Sequence, residues 1–384
     1  VAKNSTASFP RLSIILGTRP EVIKLVPVIL EARKRGIPTR VILTGQHRTM
    51  ARDLLQAFGI KPDFDLNVMR PGQTLTGLTA RVLENLDSHE KEVIGDIVLV
   101  QGDTTTAWTS AYWAFCKKIP VAHIEAGLRT YDLYSPFPEE ANRQLISRIA
   151  TLHFAPTAGS AAALRSEGIS RENIATVGNT AIDSVFLGLD LLKKSKAVPR
   201  SERLSPEILG FIAGKPFALI TAHRRESFGA GFEEICAGIL EIARRKPEVR
   251  FVYPVHPNPE VRRVVNARLA NHPSILLCEP QPYFAFLQLM AKADLILTDS
   301  GGVQEEAPSL GKRILVLRET TERPEGVKAG FSKLVGTNPK RIVSESLRAL
   351  ASQKTMPRRA NPYGDGKSAA RIVNGLIRFH RAKA

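Results

Sequence analysis

Carboxylates and histidines recur in this chain directly after short apolar runs, with one further acid at a helix start. Asp103 stands in Gln101-Gly102-Asp103-Thr104-Thr105-Thr106, after a run ending at Val100, and Glu125 stands in His123-Ile124-Glu125-Ala126-Gly127-Leu128-Arg129. Glu139 follows the loop Ser135-Pro136-Phe137-Pro138, and His223 stands in Ile220-Thr221-Ala222-His223-Arg224-Arg225-Glu226. Three carboxylates and a histidine make an inventory for moving protons. A carboxylate inside an apolar strand end is costly unless paired or used, which points Glu125 toward function. Asp103 is placed either for catalysis or to cap the following helix. Glu139 is a third acid or a first-turn charge that offsets a helix dipole. His223 could be an acid, a base or a donor to phosphate, whereas His123 reads as a packed or hydrogen-bonded histidine.

A second group of residues suits an anion. Residues 295–312 run from Leu295-Ile296-Leu297 through Ser300-Gly301-Gly302 into a stretch closed by Gly311. A strand that turns through glycines into a helix start presents backbone N–H groups and the positive end of a dipole. The spacing predicts a helix over 303–310, with Ser300 as its cap or as a phosphate ligand. Glu305 and Glu306 lie where a carboxylate could take a ribose diol. Arg19 and Lys24 flank another helix start in Gly17-Thr18-Arg19-Pro20-Glu21, and Arg323 lies in Thr320-Thr321-Glu322-Arg323-Pro324-Glu325. There is no Gly-x-Gly-x-x-Gly and no Walker A sequence, so nicotinamide and P-loop readings lose their main support.

The elements that must position these residues alternate in type. Strands are predicted at 12–16, 39–44, 96–100, 120–124, 152–155 and 174–177, with helices at 20–34, 48–58, 75–90, 105–117, 139–149 and 158–167. A second series has strands at 217–221, 250–255, 274–278, 294–298 and 313–317. The architecture expected is α/β, with two Rossmann-like doubly wound parallel-sheet domains facing a cleft. We place the first domain at 1–179 and the second at 180–367, with the final helix, 368–384, packing back on the first. The polar stretch 189–215 has the weakest pattern. In such sheets ligands sit beyond the carboxyl ends of the strands, so the polar residues just after each strand matter most.

The totals agree with a soluble globular protein: 43% of the 384 residues are hydrophobic and 24% charged, and no apolar stretch reaches membrane-span length. Three distant cysteines make neither a disulfide frame nor a zinc cluster and suit a reducing cytosol. No secretory signal is visible at the start as given. The net charge of +17 is carried by clusters such as Arg33-Lys34-Arg35 without basic–aromatic alternation, so no nucleic-acid or membrane partner is expected.

Gly-Thr-Arg-Pro-Glu, Gly-Asp-Thr-Thr-Thr, Glu-Ala-Gly-Leu-Arg-Thr, Ser-Pro-Phe-Pro-Glu-Glu-Ala-Asn-Arg, His-Arg-Arg-Glu-Ser-Phe-Gly, Asp-Ser-Gly-Gly-Val-Gln-Glu-Glu-Ala-Pro and Thr-Thr-Glu-Arg-Pro-Glu occur here in one order. On these motifs the chain resembles the bacterial non-hydrolysing UDP-N-acetylglucosamine 2-epimerases, from about Leu12 to the last helix. The resemblance implies a GT-B-type fold and interconversion of UDP-GlcNAc and UDP-ManNAc without cofactor or metal, by a cytosolic homodimer feeding surface polysaccharide synthesis. It implies Asp103, Glu125, Glu139 and His223 as the catalytic set. For UDP it implies Arg19, Lys24, Gln281, Phe286, Ser300, Gly301, Gly302, Glu306 and Arg323, with Phe286 near uracil and Glu306 on ribose. Some members carry a second, activating UDP-GlcNAc site. Gln46, Arg224 and His256 match it, but Gly72 stands where those members have an arginine. Rival readings are a hydrolysing 2-epimerase, another GT-B UDP-sugar enzyme, or a silent nucleotide-sugar sensor.

Overall fold

Short strands alternate with helices and form two separate sheets in which every pairing is parallel. The computed structural model describes residues 9–383, other than 46–47, 71, 195–197, 225–227 and 353–360. The first sheet contains β1 (Leu12–Leu16), β2 (Thr39–Leu43), β3 (Phe64–Asp65), β4 (Ile97–Gln101), β5 (Val121–Ile124), β6 (Leu152–Ala155) and β7 (Ile174–Thr176). Its order is β3-β2-β1-β4-β5-β6-β7. The second contains β8 (Phe217–Thr221), β9 (Arg250–Pro254), β10 (Ile275–Cys278), β11 (Leu295–Thr298), β12 (Ile314–Val316) and β13 (Ser332–Leu334), in the order β10-β9-β8-β11-β12-β13. Parallel strands covered on both faces are mostly apolar, and β1, β4, β8 and β11 are buried throughout.

The chain forms two compact units. One runs to Leu187 and resumes at Gly364; the other is Gly188–Tyr363. The division falls inside the helix Thr180–Lys193, eight residues past the predicted boundary at 179. In the first unit, the helix Arg19–Lys34 buries Val22, Leu25, Val26, Val28 and Ile29. Pro27 sits inside that helix and cannot donate to the carbonyl of Ile23, four residues back. The hydroxyl of Ser184 donates to that carbonyl instead. The final helix, Ser368–Lys383, also belongs to this unit: Asp183 accepts from the N–H of Ala369 at 2.9 Å, and Arg35 donates to Asn374 at 2.5 Å. In the second unit a core of Phe232, Ile235, Ile239, Phe251, Tyr253, Leu295, Leu297 and Ile342 fills one face of the sheet.

Several elements differ from the sequence prediction. Strands β3 and β13 were not expected; each lies at a sheet edge, is two or three residues long and has no apolar run. The predicted helix 75–90 ends at Ser88, and a separate turn covers Glu90–Val93. The predicted helix 303–310 is an α-helix at Gly301–Glu306 followed by a 3-10 turn at Ala307–Leu310. Pro308 cannot supply the next helical N–H, and Gly311 ends the turn at φ +66°. The polar stretch 189–215 holds a short helix, Pro206–Ile212, capped by the Ser205 side chain. Among the described residues, no helix is long and apolar enough to cross a membrane.

Candidate functional site

Strand order reverses between β1 and β4 in the first sheet and between β8 and β11 in the second, which opens a crevice beyond the carboxyl ends there. After β1, Thr18 caps the helix Arg19–Lys34 in a capping box, and the box carboxylate, Glu21, is fully buried. Its oxygens accept the N–H groups of Gly17 (3.1 Å) and Thr18 (2.7 Å) and the hydroxyl of Thr104 (2.8 Å). Glu21 thus joins the turn that carries Arg19 to the turn that carries Asp103. Burial pushes its carboxyl up, and these hydrogen bonds oppose the shift.

Asp103 follows β4 through Gly102, whose φ of +69° suits glycine. Its carboxylate accepts from Arg143 at 2.6 Å, and its carbonyl accepts from Asn142 at 2.8 Å. Burial pushes the Asp103 carboxyl above the usual range; Arg143 and Lys24 pull it down, and the charges of Glu125 and Glu139 push it up. Those opposing charges put Asp103, Lys24, Glu125 and Glu139 in one electrostatic neighbourhood.

Glu125, directly after β5, has φ +65°, a conformation that non-glycine residues rarely adopt and that collects at functional sites. Lys24 contacts one of its carboxylate oxygens at 2.5 Å, Asn179 donates to the same oxygen at 3.3 Å, and Gln101 donates to the other. Three nitrogen donors around one carboxylate favour its ionised form. Beneath, His123 is fully buried, bonds through Nε2 to the carbonyl of Gly102 at 2.7 Å, and is pulled by burial down to about 3. It is a neutral, hydrogen-bonded histidine. Glu139 opens the helix Glu139–Ile149, and its neighbour Glu140 is fully buried, accepting the N–H groups of Thr130 and Tyr131.

In the second unit His223 lies after β8 and Asp299 after β11, on strands paired Thr221 to Thr298. Asp299 is fully buried; its Oδ2 accepts the N–H groups of His223 (2.6 Å) and Arg224 (2.7 Å). Its Oδ1 lies 3.2 Å from Nδ1 of His223. The His256 ring stacks on His223 with centroids 5.2 Å apart. Burial pulls the His223 ring down from its ordinary value; Asp299 opposes this, and His256 and Arg224 add to it.

Ser300 occupies the cap position of Gly301–Glu306, but its side chain makes no cap bond. Arg323 lies over Gly301, where a Cβ would be 3.3 Å from the guanidinium carbon, and donates to Glu305 at 2.8 Å. Glu305 is therefore a buried support for Arg323. Glu306 is half-buried, with its carboxylate beside Gly302. Gln281 follows β10 and donates to the carbonyl of Glu279 at 2.7 Å, and half-buried Phe286 lies on the helix Tyr283–Lys292. Gly72, in a turn at φ +66°, is described, whereas Gln46 lies outside the described residues.

The first unit thus gathers Lys24, Asp103, Glu125 and Glu139, with Arg19 on the turn that Glu21 ties to Asp103. The second gathers Ser300, Gly301, Gly302, Glu306 and Arg323, and separately His223. Sequence reasoning missed Glu21, Gln101, Arg143, Asn179 and Asp299. For Asp299 the signal was present: it is a carboxylate at an apolar strand end, the feature that singled out Glu125. Among the described residues no three His, Cys, Asp or Glu side chains come together as a metal site needs.

A family model described as UDP-N-acetylglucosamine 2-epimerase matches residues 30–377. The UDP-N-acetylglucosamine 2-epimerase of Salmonella typhimurium is 49% identical over 366 residues, covering 94% of this chain and 97% of its own length. The crystal structure of UDP-GlcNAc 2-epimerase from Neisseria meningitidis bound to UDP-GlcNAc matches with TM-score 0.86 and 44% identity, over 96% of this chain and 100% of that one. The Methanocaldococcus jannaschii UDP-GlcNAc 2-epimerase in complex with UDP-GlcNAc and UDP matches with TM-score 0.77 and 35% identity, over 95% and 99%.

Proposed function

We infer, from a chain that belongs to the UDP-N-acetylglucosamine 2-epimerase family, that this enzyme interconverts UDP-GlcNAc and UDP-ManNAc. The observation that carries the reading is the pair Asp103 and Glu125, close enough for one charge to act on the other and held by different cations. The C2 proton of the sugar has no neighbouring carbonyl, so simple enolisation is closed to it. Elimination is open: a carboxylate takes the C2 proton, the C–H pair becomes the C1–C2 double bond, and the C1–O bond breaks with its pair leaving on UDP. UDP then adds back to the 2-acetamidoglucal, and a proton reaches C2 from the other face. No electrons are gained or lost.

The chemistry needs one carboxylate able to accept a proton and one able to give it. Glu125, ringed by donors, is the base toward UDP-GlcNAc; Asp103, pushed up by burial and by two neighbouring carboxylates, is the acid that protonates the other face. The roles exchange in the reverse direction. Glu139 keeps Asp103 poised, and His223 aids departure of the diphosphate. Arg19, Lys24, Ser300, Gly301, Gly302 and Arg323 hold phosphates, Glu306 the ribose, and Gln281 and Phe286 the uracil end. The working form is a homodimer; exposed Tyr112, Phe115 and Leu145 on the first unit's helices support self-association. It acts in the cytosol, in keeping with three free cysteines, and its product supplies surface polysaccharide.

Separation of the products formed from UDP-GlcNAc tests the function. UDP-ManNAc is expected; free ManNAc with UDP would assign a hydrolysing enzyme, and no conversion would overturn the reading.

A further inference from the structure

Asp299 sits at the reversal of strand order in the second sheet, one residue beyond β11, and is fully buried. A carboxylate in that position must be used or paired. One oxygen is used: Oδ2 accepts two backbone N–H groups, which fixes the turn Ala222-His223-Arg224 against the end of β11. The other is not used that way. Among the described residues no backbone or side-chain donor completes a hydrogen bond to Oδ1, and the polar atom facing it is Nδ1 of His223 at 3.2 Å. The ring is held on other sides as well. The backbone N–H of His223 is bonded to the same carboxylate, and the His256 ring lies against the His223 ring face with planes 12° apart. The N–H of Asn258 donates to Nδ1 of His256 at 3.2 Å, so His256 carries its proton on Nε2 when neutral.

We propose that Asp299 is the positioning residue of His223: it holds the proton on Nδ1, facing inward, and so makes Nε2 the nitrogen that meets the substrate. This rests on the reading of His223 as the group that assists UDP departure. In the neutral ring Nε2 is bare. In the charged ring Nε2 carries the one proton that can be shared with an oxygen of the leaving diphosphate, and the buried carboxylate stabilises that ring from behind. Asp299 is not expected to touch substrate. The charged groups around the ring are Asp299, His256 and Arg224, and Arg224 is in turn offset by Glu322.

Asp299→Asn separates this role from a structural one. Its side-chain oxygen can still accept from the N–H groups of His223 and Arg224, while its amide N–H faces Nδ1 and drives the ring proton to Nε2, as in an Asp-to-Asn change behind a catalytic histidine. In protein labelled with ¹⁵N at histidine, NMR of the wild type above the ring's titration is expected to show His223 with Nδ1 protonated and Nε2 bare. Asp299→Asn should reverse this, lower kcat on the order of 100-fold with KM within a few-fold, and move the kcat limb set by His223 to lower pH. Combining it with His223→Gln should cost no more than His223→Gln alone. A wild-type His223 protonated on Nε2 overturns the proposal even if the variant fails to fold. So does an unchanged tautomer in a folded Asp299→Asn, or a loss that adds to that of His223→Gln. Full activity in His223→Gln would instead remove the assigned role of His223, while the tautomer still decides the pairing.

Discussion

After β1 and β4 in the first unit, and after β8 and β11 in the second, a buried carboxylate joins two neighbouring turns. Glu21 does so for the turns of Arg19 and Asp103, and Asp299 for the turns of His223 and Ser300. The positioning problem is the same, but the oxygens are spent differently. Both oxygens of Glu21 go to backbone N–H groups or a hydroxyl, so Glu21 is scaffold. Asp299 has one oxygen 3.2 Å from the His223 imidazole, and on the proposal above it shapes a titrating group as well as a turn. On the proposed assignment Asp103 and Glu125 supply the first unit's proton chemistry, which leaves Glu21 as scaffold. Among the residues proposed for catalysis, the second unit has one such group, His223, beside a glycine turn suited to a diphosphate.

If the units divide the work in this way, variants in each should fail differently. The largest effect is expected from Asp103→Asn and Glu125→Gln, which should lower kcat on the order of 100-fold or more while calorimetric affinity for UDP stays near wild type. Affinity falling in step with rate would break the division. Next, Glu21→Leu strands three donors and should destabilise the first unit by about 2–4 kcal/mol, read from chemical denaturation. Glu21→Gln, which keeps an acceptor, should cost less.

A smaller effect separates the buried histidines of the first unit from half-exposed His223. His123 and His153 are held down at about 3 and about 4, against about 6.5 in an unfolded chain. As pH falls below about 6.5 the unfolded chain binds protons that the folded one refuses, so their contribution to stability is full above that pH and is lost as pH falls to about 4 for His153 and about 3 for His123. The slope should be up to about 1.4 kcal/mol per pH unit for each ring. His123→Gln keeps an N–H for the Gly102 carbonyl and should flatten it, as measured by urea melts at pH 7 and pH 5. The smallest effect is expected from Gly301→Ala, whose added Cβ meets the Arg323 guanidinium at 3.3 Å. It should weaken UDP binding by about 1 kcal/mol, roughly fivefold, with little change in kcat at saturating substrate.

Much of this was readable from the residues. Apolar runs such as Leu12–Leu16 and Phe217–Thr221 declare buried parallel strands, and the polar groups after them declare where a ligand belongs. Edge strands β3 and β13 were silent because half-buried or polar residues such as Asp65 and Lys333 carry no apolar pattern. The partners of the charged groups were silent for another reason. Arg143 reaches Asp103 across 40 residues and Asn179 reaches Glu125 across 54, and nothing local announces either contact. Asp299 was hidden differently, in a stretch already read for its glycines.

In the proposed mechanism the first unit's carboxylates, Asp103 and Glu125, move the C2 proton. The most direct test is conversion of UDP-GlcNAc in deuterated water, followed by NMR. UDP-ManNAc carrying deuterium at C2 is expected, with loss of that exchange in Glu125→Gln while UDP still binds. UDP-ManNAc that retains its original C2 proton, or wild-type exchange by Glu125→Gln, would contradict it.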